Sequence, residues 1–252
     1  MAATAVNAPR YVEPAALGYA QARWRLEPGA GLRFDEAYRL AHLPLLAPDH
    51  PAVIRSLPGR AYVMGRCEQA RYSLVVPVDA AKLAAAPTFT RFERELRALP
   101  LADKIDWSLL PRRAPLLHIT LAGGLEHAQL ARHSDAVQRR HAEHGPLRFR
   151  LGEPFIGDRN HGRIYFAAYP ERVDGDDVFA RLQDAVGARR SGMYLLGYYN
   201  LLDELDATEA RALFELLERW QSATLAELTA SSLQVIATHD DLALSCEVVS
   251  RC

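Results

Sequence analysis

The amino-acid sequence predicts an α+β fold in which two pseudo-symmetric lobes of mostly antiparallel sheet, flanked by helices, form a concave central groove. Strand-like and helix-like segments follow one another in two similar series, and no tandem repeat of a short unit is visible. The chain has 252 residues, 49% of them hydrophobic, which is enough for a sizeable core. Residues 1–60, rich in alanine and proline, are predicted to form a helical N-terminal extension, and residues 61–252 the bilobal domain.

Elements of the first half are predicted from strand-forming residues and from residues that start or stop helices. β-Branched residues cluster at 71–78, which favours a strand. Thr90 and Glu93 have the spacing of a capping box, and Pro100 would end the helix that follows. The predicted elements are helices at 35–42, 49–57, 90–99 and 125–144 and strands at 61–64, 71–78 and 116–121.

Elements of the second half are predicted in the same way. Glycine, aspartate and asparagine at 157–162 predict a turn that joins two strands as a hairpin. Asp206 and Glu209 open a strongly amphipathic helix. The predicted elements are strands at 147–152, 163–169, 194–201, 233–237 and 242–249 and helices at 178–186 and 206–220.

Composition narrows the range of partners and compartments. The 30 basic and 31 acidic residues give a net charge of -1, which does not support a broad nucleic-acid or membrane surface. Three widely spaced cysteines form no CxxC pair, so neither a disulfide framework nor a structural zinc site is indicated. No signal peptide or membrane span is recognisable at the N-terminus. The sequence thus predicts a cytoplasmic protein with no cofactor, no metal and neither membrane nor DNA as partner.

One predicted strand carries a polar pair. His118 and Thr120 alternate with apolar residues in the run 116–121, so both side chains project from one face of the strand. An imidazole and a hydroxyl two residues apart can bind a phosphate group and move a proton. The pair therefore predicts phosphate-ester chemistry. The alternative is a half-buried strand histidine bonded to a neighbour.

The chain from about Arg71 to its C-terminus resembles the two-histidine phosphoesterase superfamily, which includes the RNA 2′,3′-cyclic phosphodiesterases called 2′-5′ RNA ligase-like proteins. The run 117–121, Leu-His-Ile-Thr-Leu, fits the first His-x-Thr motif of that family in full. The subsequent order of helix, hairpin, helix and apolar strand is also similar. The resemblance implies two lobes that each donate one such motif to a shared groove.

The segment 192–201 lies where that family has its second motif. The best register places Tyr198 at the second histidine and Asn200 at the Thr/Ser position, so both family side chains are replaced. The resemblance implies a site with His118 as general acid or base, Thr120 as phosphate ligand, and Tyr198 and Asn200 completing it. A phenol can donate a proton but is a poor base at neutral pH. Both replacements could instead be structural residues.

Five further residues are candidates for the site. His239 lies between the last two strands and could bring a second imidazole into the groove or belong to a polar turn. Arg112 and Arg113 come just before the histidine strand and could guide a phosphate-bearing ligand or be surface charges. Trp107 and Tyr165 could stack on a nucleobase or anchor the core.

These residues favour a divergent, metal-independent phosphoesterase that acts on a cyclic phosphate or a 2′-5′ linkage in a nucleotide or RNA. Two alternatives stay open. The same fold could bind a nucleotide or RNA end without turnover, because the second histidine is missing. It could also have been recruited to a pathway with a phosphate-free ligand in a pocket shaped by Tyr198 and Tyr199. The oligomeric state is not predicted.

Overall fold

Two antiparallel sheets, one of them curled into a half-barrel, occupy the centre of the molecule and confirm the α+β class. The structure is a computed structural model that describes residues 11–251. The helices are α1 (Tyr19–Ala22), α2 (Glu36–Ala41), α3 (Leu43–Leu46), α4 (Ala80–Ala85), α5 (Pro87–Arg97), α6 (Leu109–Arg113), α7 (His127–His144), α8 (Val178–Ala185) and α9 (Ala207–Arg219). Short 3₁₀ turns lie at Pro14–Ala16, Ala102–Lys104 and Ala114–Leu116.

The strands pair in two main sheets and one small hairpin. They are β1 (Tyr62–Val63), β2 (Arg66–Pro77), β3 (His118–Leu125), β4 (Leu147–Ile156), β5 (Arg163–Pro170), β6 (Arg172–Val173), β7 (Asp176–Asp177), β8 (Leu195–Asn200), β9 (Thr224–Ala230), β10 (Gln234–Asp240) and β11 (Cys246–Arg251). The first sheet has the order β11-β10-β2-β3, with β1 beside the start of β2. The second has the order β8-β5-β4-β9, and β6 pairs only with β7. Contacts between β3 and β8 bring the two sheets together.

One face of the second sheet is covered by helices, and α5 packs its apolar side against that face. Phe89 and Phe92, three residues apart, both pack edge-on against Phe166 of β5, with ring centroids 5.8 and 5.7 Å away. Trp220, at the end of α9, closes the same cluster at 5.6 Å from Phe92. The core of this lobe therefore lies between the sheet and helices α5 and α9.

Residues 11–60 cover the opposite face of the second sheet. Tyr19 packs edge-on against Tyr169 of β5, and its buried hydroxyl donates to the carbonyls of Ala168 and Tyr194. The hydroxyl of Tyr38 on α2 donates to the carbonyl of Leu201 at 2.7 Å. Because these hydroxyls satisfy main-chain oxygens of the sheet, the segment is fixed in place as part of the lobe.

Several sequence predictions are confirmed. The side chain of Asp206 accepts from the backbone of Glu209, whose carboxylate accepts in return, so the predicted capping box begins α9. The hairpin of β4 and β5 forms around the predicted turn. Other predictions are wrong. Residues 49–57 form no helix, because the chain turns at 48–49 and again at 51–52 and then runs extended.

The other differences arise from local side-chain bonds. Helix α5 begins at Pro87 rather than at a Thr90 cap, and the Thr90 hydroxyl donates back to the Ala84 and Ala86 carbonyls. β11 begins later than predicted because the Asp240 carboxylate accepts three backbone N–H groups of the preceding loop. Helices α4 and α6 and strand β9 were not predicted.

Docking of the N-terminal segment depends on a glycine. A Cβ atom at Gly162 would overlap the ring of Tyr38, which is fully buried and held by its hydroxyl. Gly162→Ala is expected to lower the free energy of unfolding by about 1–3 kcal/mol, the usual cost of overpacking a core. Urea denaturation measures the change. Gly123→Ala is the control, because a Cβ there meets only ordinary contacts. Equal losses in both variants would contradict the proposed docking.

Candidate functional site

The predicted polar pair lies on one face of β3. Ile119 and Leu121 are buried on the other face, whereas His118 is partly exposed and Thr120 exposed. This alternation follows from the period of two in a strand with one buried face. The pairing of β3 with β2, with Val76 opposite Ile119, keeps this face turned in one direction.

The His118 ring is held in one orientation by the main chain. Its Nδ1 atom lies 2.6 Å from the carbonyl oxygen of Leu116, an acceptor, so Nδ1 carries the proton and Nε2 keeps its lone pair. Burial above all, with the charges of Arg113 and Arg163, lowers the pKa of His118 to about 4, although the Leu116 bond acts in the opposite direction. His118 is therefore neutral at pH 7.

A cavity of about 290 Å³ lies in front of this face, between the two sheets. Side chains of both lobes line it, together with the loop after β10. The lining residues are Arg113, His118, Thr120, Arg163, Tyr165, Ser191, Met193, Leu195, Gly197 and Asp241. Four predicted site residues, His118, Thr120, Arg113 and Tyr165, thus share one space.

Arg163 of β5 is buried and fixed by neutral acceptors. Its Nη2 donates to the carbonyl of Gly197 at 3.2 Å, and its Nη1 donates to Nε2 of His42 and to the Asp241 carbonyl. His42 is fully buried, stacks on Tyr38 at 5.2 Å, and burial lowers its pKa to about 3. The N-terminal segment therefore supports Arg163 with an uncharged ring.

Arg113, at the end of α6, is held in the same way. Its Nε donates to the carbonyl of Leu242 at 3.0 Å and its Nη1 to that of Tyr198 at 3.2 Å. Burial lowers the pKa of Arg113 to about 9, and the charge of Arg163 adds to the effect, yet the group stays protonated at neutral pH. Within residues 11–251, neither Arg113 nor Arg163 forms an ion pair with a carboxylate.

Gly197 on β8 makes the position of Arg163 sterically possible. A Cβ atom at Gly197 would overlap the guanidinium of Arg163. The absence of a side chain on β8 therefore leaves the space that the arginine of the neighbouring strand fills.

Asp241 is the one carboxylate among the lining residues, and it already has a cation. Its oxygens accept from the hydroxyl of Tyr62 at 2.8 Å and from Nη2 of Arg71 at 2.5 Å. Burial raises the pKa of Asp241, but the charge of Arg71 and the hydrogen bonds from Arg71 and Tyr62 outweigh burial and hold it below its ordinary value. The Asp241 carboxylate is therefore ionised and pairs with Arg71, not with Arg113 or Arg163.

Tyr165 lines the cavity and carries a hydroxyl. Its oxygen accepts a hydrogen bond from Nδ2 of Asn160 at 3.2 Å, which leaves its own proton available to donate. Burial raises the pKa of Tyr165, so the phenol stays protonated at neutral pH.

The expectation that Tyr198 lies opposite His118 is wrong. Its ring packs against Phe89 and Phe166, with centroids 5.4 and 5.7 Å away, and lines a separate cavity of about 180 Å³. The reason is the period of two in β8: Leu195 and Gly197 line the cavity, so Tyr198 projects from the opposite face, toward the helices. A bulge follows, because Ile164 pairs with Tyr199 but Tyr165 with Gly197.

Four other predicted site residues also lie outside the cavity. Asn200 is fully buried, and neither of its amide atoms has a hydrogen-bond partner among the described residues. His239 lies in β10, where its Nδ1 bonds to the carbonyl of Cys67, so it is not in the predicted turn. Trp107 donates to the Ala102 carbonyl and packs on Tyr199, as the core-anchor alternative expected. Arg112 is exposed.

Sequence reasoning missed Arg163, Asp241, Gly197 and His42. One signal was available: Arg163 is two residues before Tyr165 on a predicted strand, so the period of two places both on one face. No local pattern identifies His42 or Asp241, since tertiary packing brings them to the site.

A larger cavity of about 540 Å³ lies between α9 and the segment around Trp24. Its walls carry three arginines and two carboxylates, namely Arg23, Arg25, Arg211, Glu215 and Glu218, and Arg23 already bonds to Glu153, so the remaining cations and carboxylates balance. Among residues 11–251, no group of three histidine, cysteine, aspartate or glutamate side chains could hold a metal ion. No helix in that range is long and apolar enough to cross a membrane.

No protein-family model matches the chain, and no curated protein matches it. The resemblance to two-histidine phosphoesterases therefore stays a prediction that rests on the first motif and the element order.

The electrostatic coupling in the cavity can be measured on His118. Arg163→Gln removes a nearby positive charge, so the His118 pKa is expected to rise from about 4 toward its ordinary value. NMR titration of the imidazole resonances measures the shift. Arg112→Gln, an exposed neighbour of Arg113, is the control and is expected to leave the titration unchanged. A His118 pKa that is the same in the wild-type protein and in both variants would contradict the described geometry.

Proposed function

We propose that the protein is a divergent, metal-independent phosphoesterase whose cavity takes a cyclic phosphate or 2′-5′-linked phosphodiester of a nucleotide or RNA end. One observation carries the proposal. Two buried guanidiniums without carboxylate partners line a space that also contains a neutral imidazole and a hydroxyl. Buried charges are ordinarily paired, so an anionic ligand is the natural partner of these two.

The arginines would hold the phosphate. Guanidinium groups donate in a planar fork that matches phosphate oxygens, and they stay charged at neutral pH. Arg113 and Arg163 are already fixed by main-chain carbonyls, so little reorganisation is needed when the charge on phosphorus develops during attack. The Thr120 hydroxyl would add a further hydrogen bond.

His118 would act as the general base. Its Nε2 lone pair would take a proton from water while the water oxygen forms a bond to phosphorus. The Leu116 carbonyl fixes the opposite nitrogen and stabilises the imidazolium that forms. Since His118 is neutral at pH 7, it is ready to accept that proton.

Tyr165 would act as the general acid. As the bond from phosphorus to the departing ribose oxygen breaks, the phenol would give its proton to that oxygen. The Asn160 amide, which donates to the phenol oxygen, would stabilise the phenolate until solvent returns the proton from His118. The product of a cyclic substrate is a phosphomonoester, and no redox partner is required.

A binding function without turnover is the second candidate. Tyr198, Asn200 and His239 lie outside the cavity, and His118 is the one imidazole among its lining residues. Each acid or base typically contributes about 10²- to 10⁴-fold to the rate, so loss of one leaves binding more intact than chemistry. A phosphate-free neutral ligand is less compatible, because it would leave both guanidiniums without an anion.

His118→Ala is expected to reduce hydrolysis of adenosine 2′,3′-cyclic monophosphate by at least about 10²-fold, because the base is lost. Chromatographic separation of the nucleotide products measures the rate. His239→Ala is the matched control and is expected to retain the rate, since His239 bonds to Cys67 away from the cavity. Wild-type protein that leaves cyclic and 2′-5′ substrates uncut would refute the phosphoesterase and favour the binding function.

Tyr165→Phe removes the proposed acidic hydroxyl and keeps the aromatic ring in place. We expect kcat to fall by about 10²- to 10⁴-fold for a ribose leaving group, and far less for a 4-nitrophenolate leaving group, which needs no proton. Tyr198→Phe, the same change on the bulged strand, should have little effect on either substrate because its ring lines the other cavity. Equal losses on both leaving groups would show that Tyr165 is not the acid.

A further inference from the structure

The charge of the cavity identifies the kind of anion that fits it. The groups at its wall are Arg113, Arg163 and the Asp241 carboxylate, which Arg71 and Tyr62 already hold. Because His118 is neutral, the lining residues have two positive charges in excess. The Asp240 carboxylate also acts on Arg113, but three backbone N–H groups hold it and it forms no ion pair with that arginine. Both guanidiniums are at least nine-tenths buried, with 5% and 8% of their surface exposed. Water therefore screens them poorly, and each favours a negative charge of its own.

We propose that the cavity preferentially binds a terminal phosphomonoester as its dianion, over a cyclic or linear phosphodiester that carries a single negative charge. This inference rests on the proposed assignment of the cavity as a phosphate site. A dianion supplies one negative charge for each guanidinium. A phosphodiester monoanion leaves one buried cation without a counter-charge.

The positions of the two arginines support a shared ligand rather than two separate ones. Arg113 approaches from α6 and bonds to the Tyr198 carbonyl, and Arg163 approaches from β5 and bonds to the Gly197 carbonyl. Adjacent residues of β8 thus anchor both groups, and both line one cavity of about 290 Å³. Each arginine also acts on the pKa of His118, so all three groups face a common space.

The preference has a consequence for the proposed reaction. Hydrolysis of a cyclic phosphodiester converts a monoanion into a monoester dianion. The product would therefore bind more tightly than the substrate, and its release would limit turnover. A protein that binds nucleotide monophosphates without hydrolysis would show the same preference.

No group at the cavity titrates between about pH 5 and pH 7.5, whereas a phosphomonoester changes from monoanion to dianion near pH 6. His118 on β3 and His42 behind Arg163 have pKa values of about 4 and 3. Burial raises the pKa of Tyr165 and of Tyr62, and Asp241 stays ionised. Arg71, Arg113 and Arg163 stay charged. The pH dependence of binding therefore reports the charge of the ligand.

Calorimetric titration with two matched nucleotides tests the inference. Adenosine 3′-monophosphate and adenosine 2′,3′-cyclic monophosphate are titrated into the full-length His118→Ala protein, which prevents turnover of the cyclic probe. At about pH 7.5 the monophosphate should bind at least about tenfold more tightly, the effect of one added charge-assisted hydrogen bond. At about pH 5 the ratio should fall below about threefold, because the monoester has lost its second charge.

Each outcome decides a different question. Equal or tighter binding of the cyclic nucleotide at about pH 7.5, or a ratio that does not change with pH, overturns the dianion preference and leaves the phosphoesterase proposal standing. Tight monophosphate binding by a wild-type protein that hydrolyses nothing supports the preference and refutes the phosphoesterase. Failure of both nucleotides and of inorganic phosphate to bind overturns both proposals.

Arg163→Gln gives a second measurement on the same ligands. It removes one cation, so the monophosphate should lose its advantage while the cyclic nucleotide loses less. Gly197→Ala tests the same arginine without altering it, because the added Cβ would displace its guanidinium. Circular dichroism verifies folding of each variant. An unchanged ratio in either folded variant contradicts the role of Arg163.

Discussion

Two buried guanidiniums held by main-chain carbonyls determine what the groove between the sheets can do. A carboxylate beside either one would cancel its charge, but Arg113 and Arg163 bond to carbonyl oxygens and, for Arg163, to a neutral imidazole. Such bonds satisfy the N–H groups and leave the charge in place. Burial of His118, together with the charges of these cations, lowers its pKa and keeps its Nε2 unprotonated at neutral pH. The same pair thus provides both the attraction for an anion and a neutral base beside it.

The local geometry of β8 explains why the second sheet contributes different side chains to the site than the first sheet does. On β3 the strand is regular at His118 and Thr120, and both side chains reach the cavity. On β8 an extra residue at Tyr198 interrupts the ladder with β5, and Gly197 carries no side chain. The space is filled from the neighbouring strand by Arg163. One lobe therefore contributes an imidazole and the other a guanidinium, with different capacities for proton transfer.

Local patterns predicted most long elements of the fold and half of the site. The alternation around His118, the capping box at Asp206 and the β4–β5 hairpin depend on residues close in sequence, and all three form. The face of Tyr198 depends on the register of β8, which places Gly197 rather than Tyr198 at the cavity and which only pairing with β5 reveals. His42 and Asp241 reach Arg163 through tertiary packing, so no window of sequence could identify them. Short elements such as α4 and β9 lacked a clear periodic signal.

The support of Arg163 by His42 has a consequence for how the site is made during synthesis of the chain. Nη1 of that guanidinium donates both to His42, which comes before the first strand, and to the carbonyl of Asp241, which follows β10. A nascent polypeptide that has emerged only as far as β9 contains His42, both arginines and strands β2 and β3. It still lacks β10 and the loop after β10, which forms one wall of the cavity. Loop-closure entropy over so long a separation makes this one of the last contacts to form. Ligand affinity would therefore appear only after β10 and the loop that follows it have joined the folded sheet.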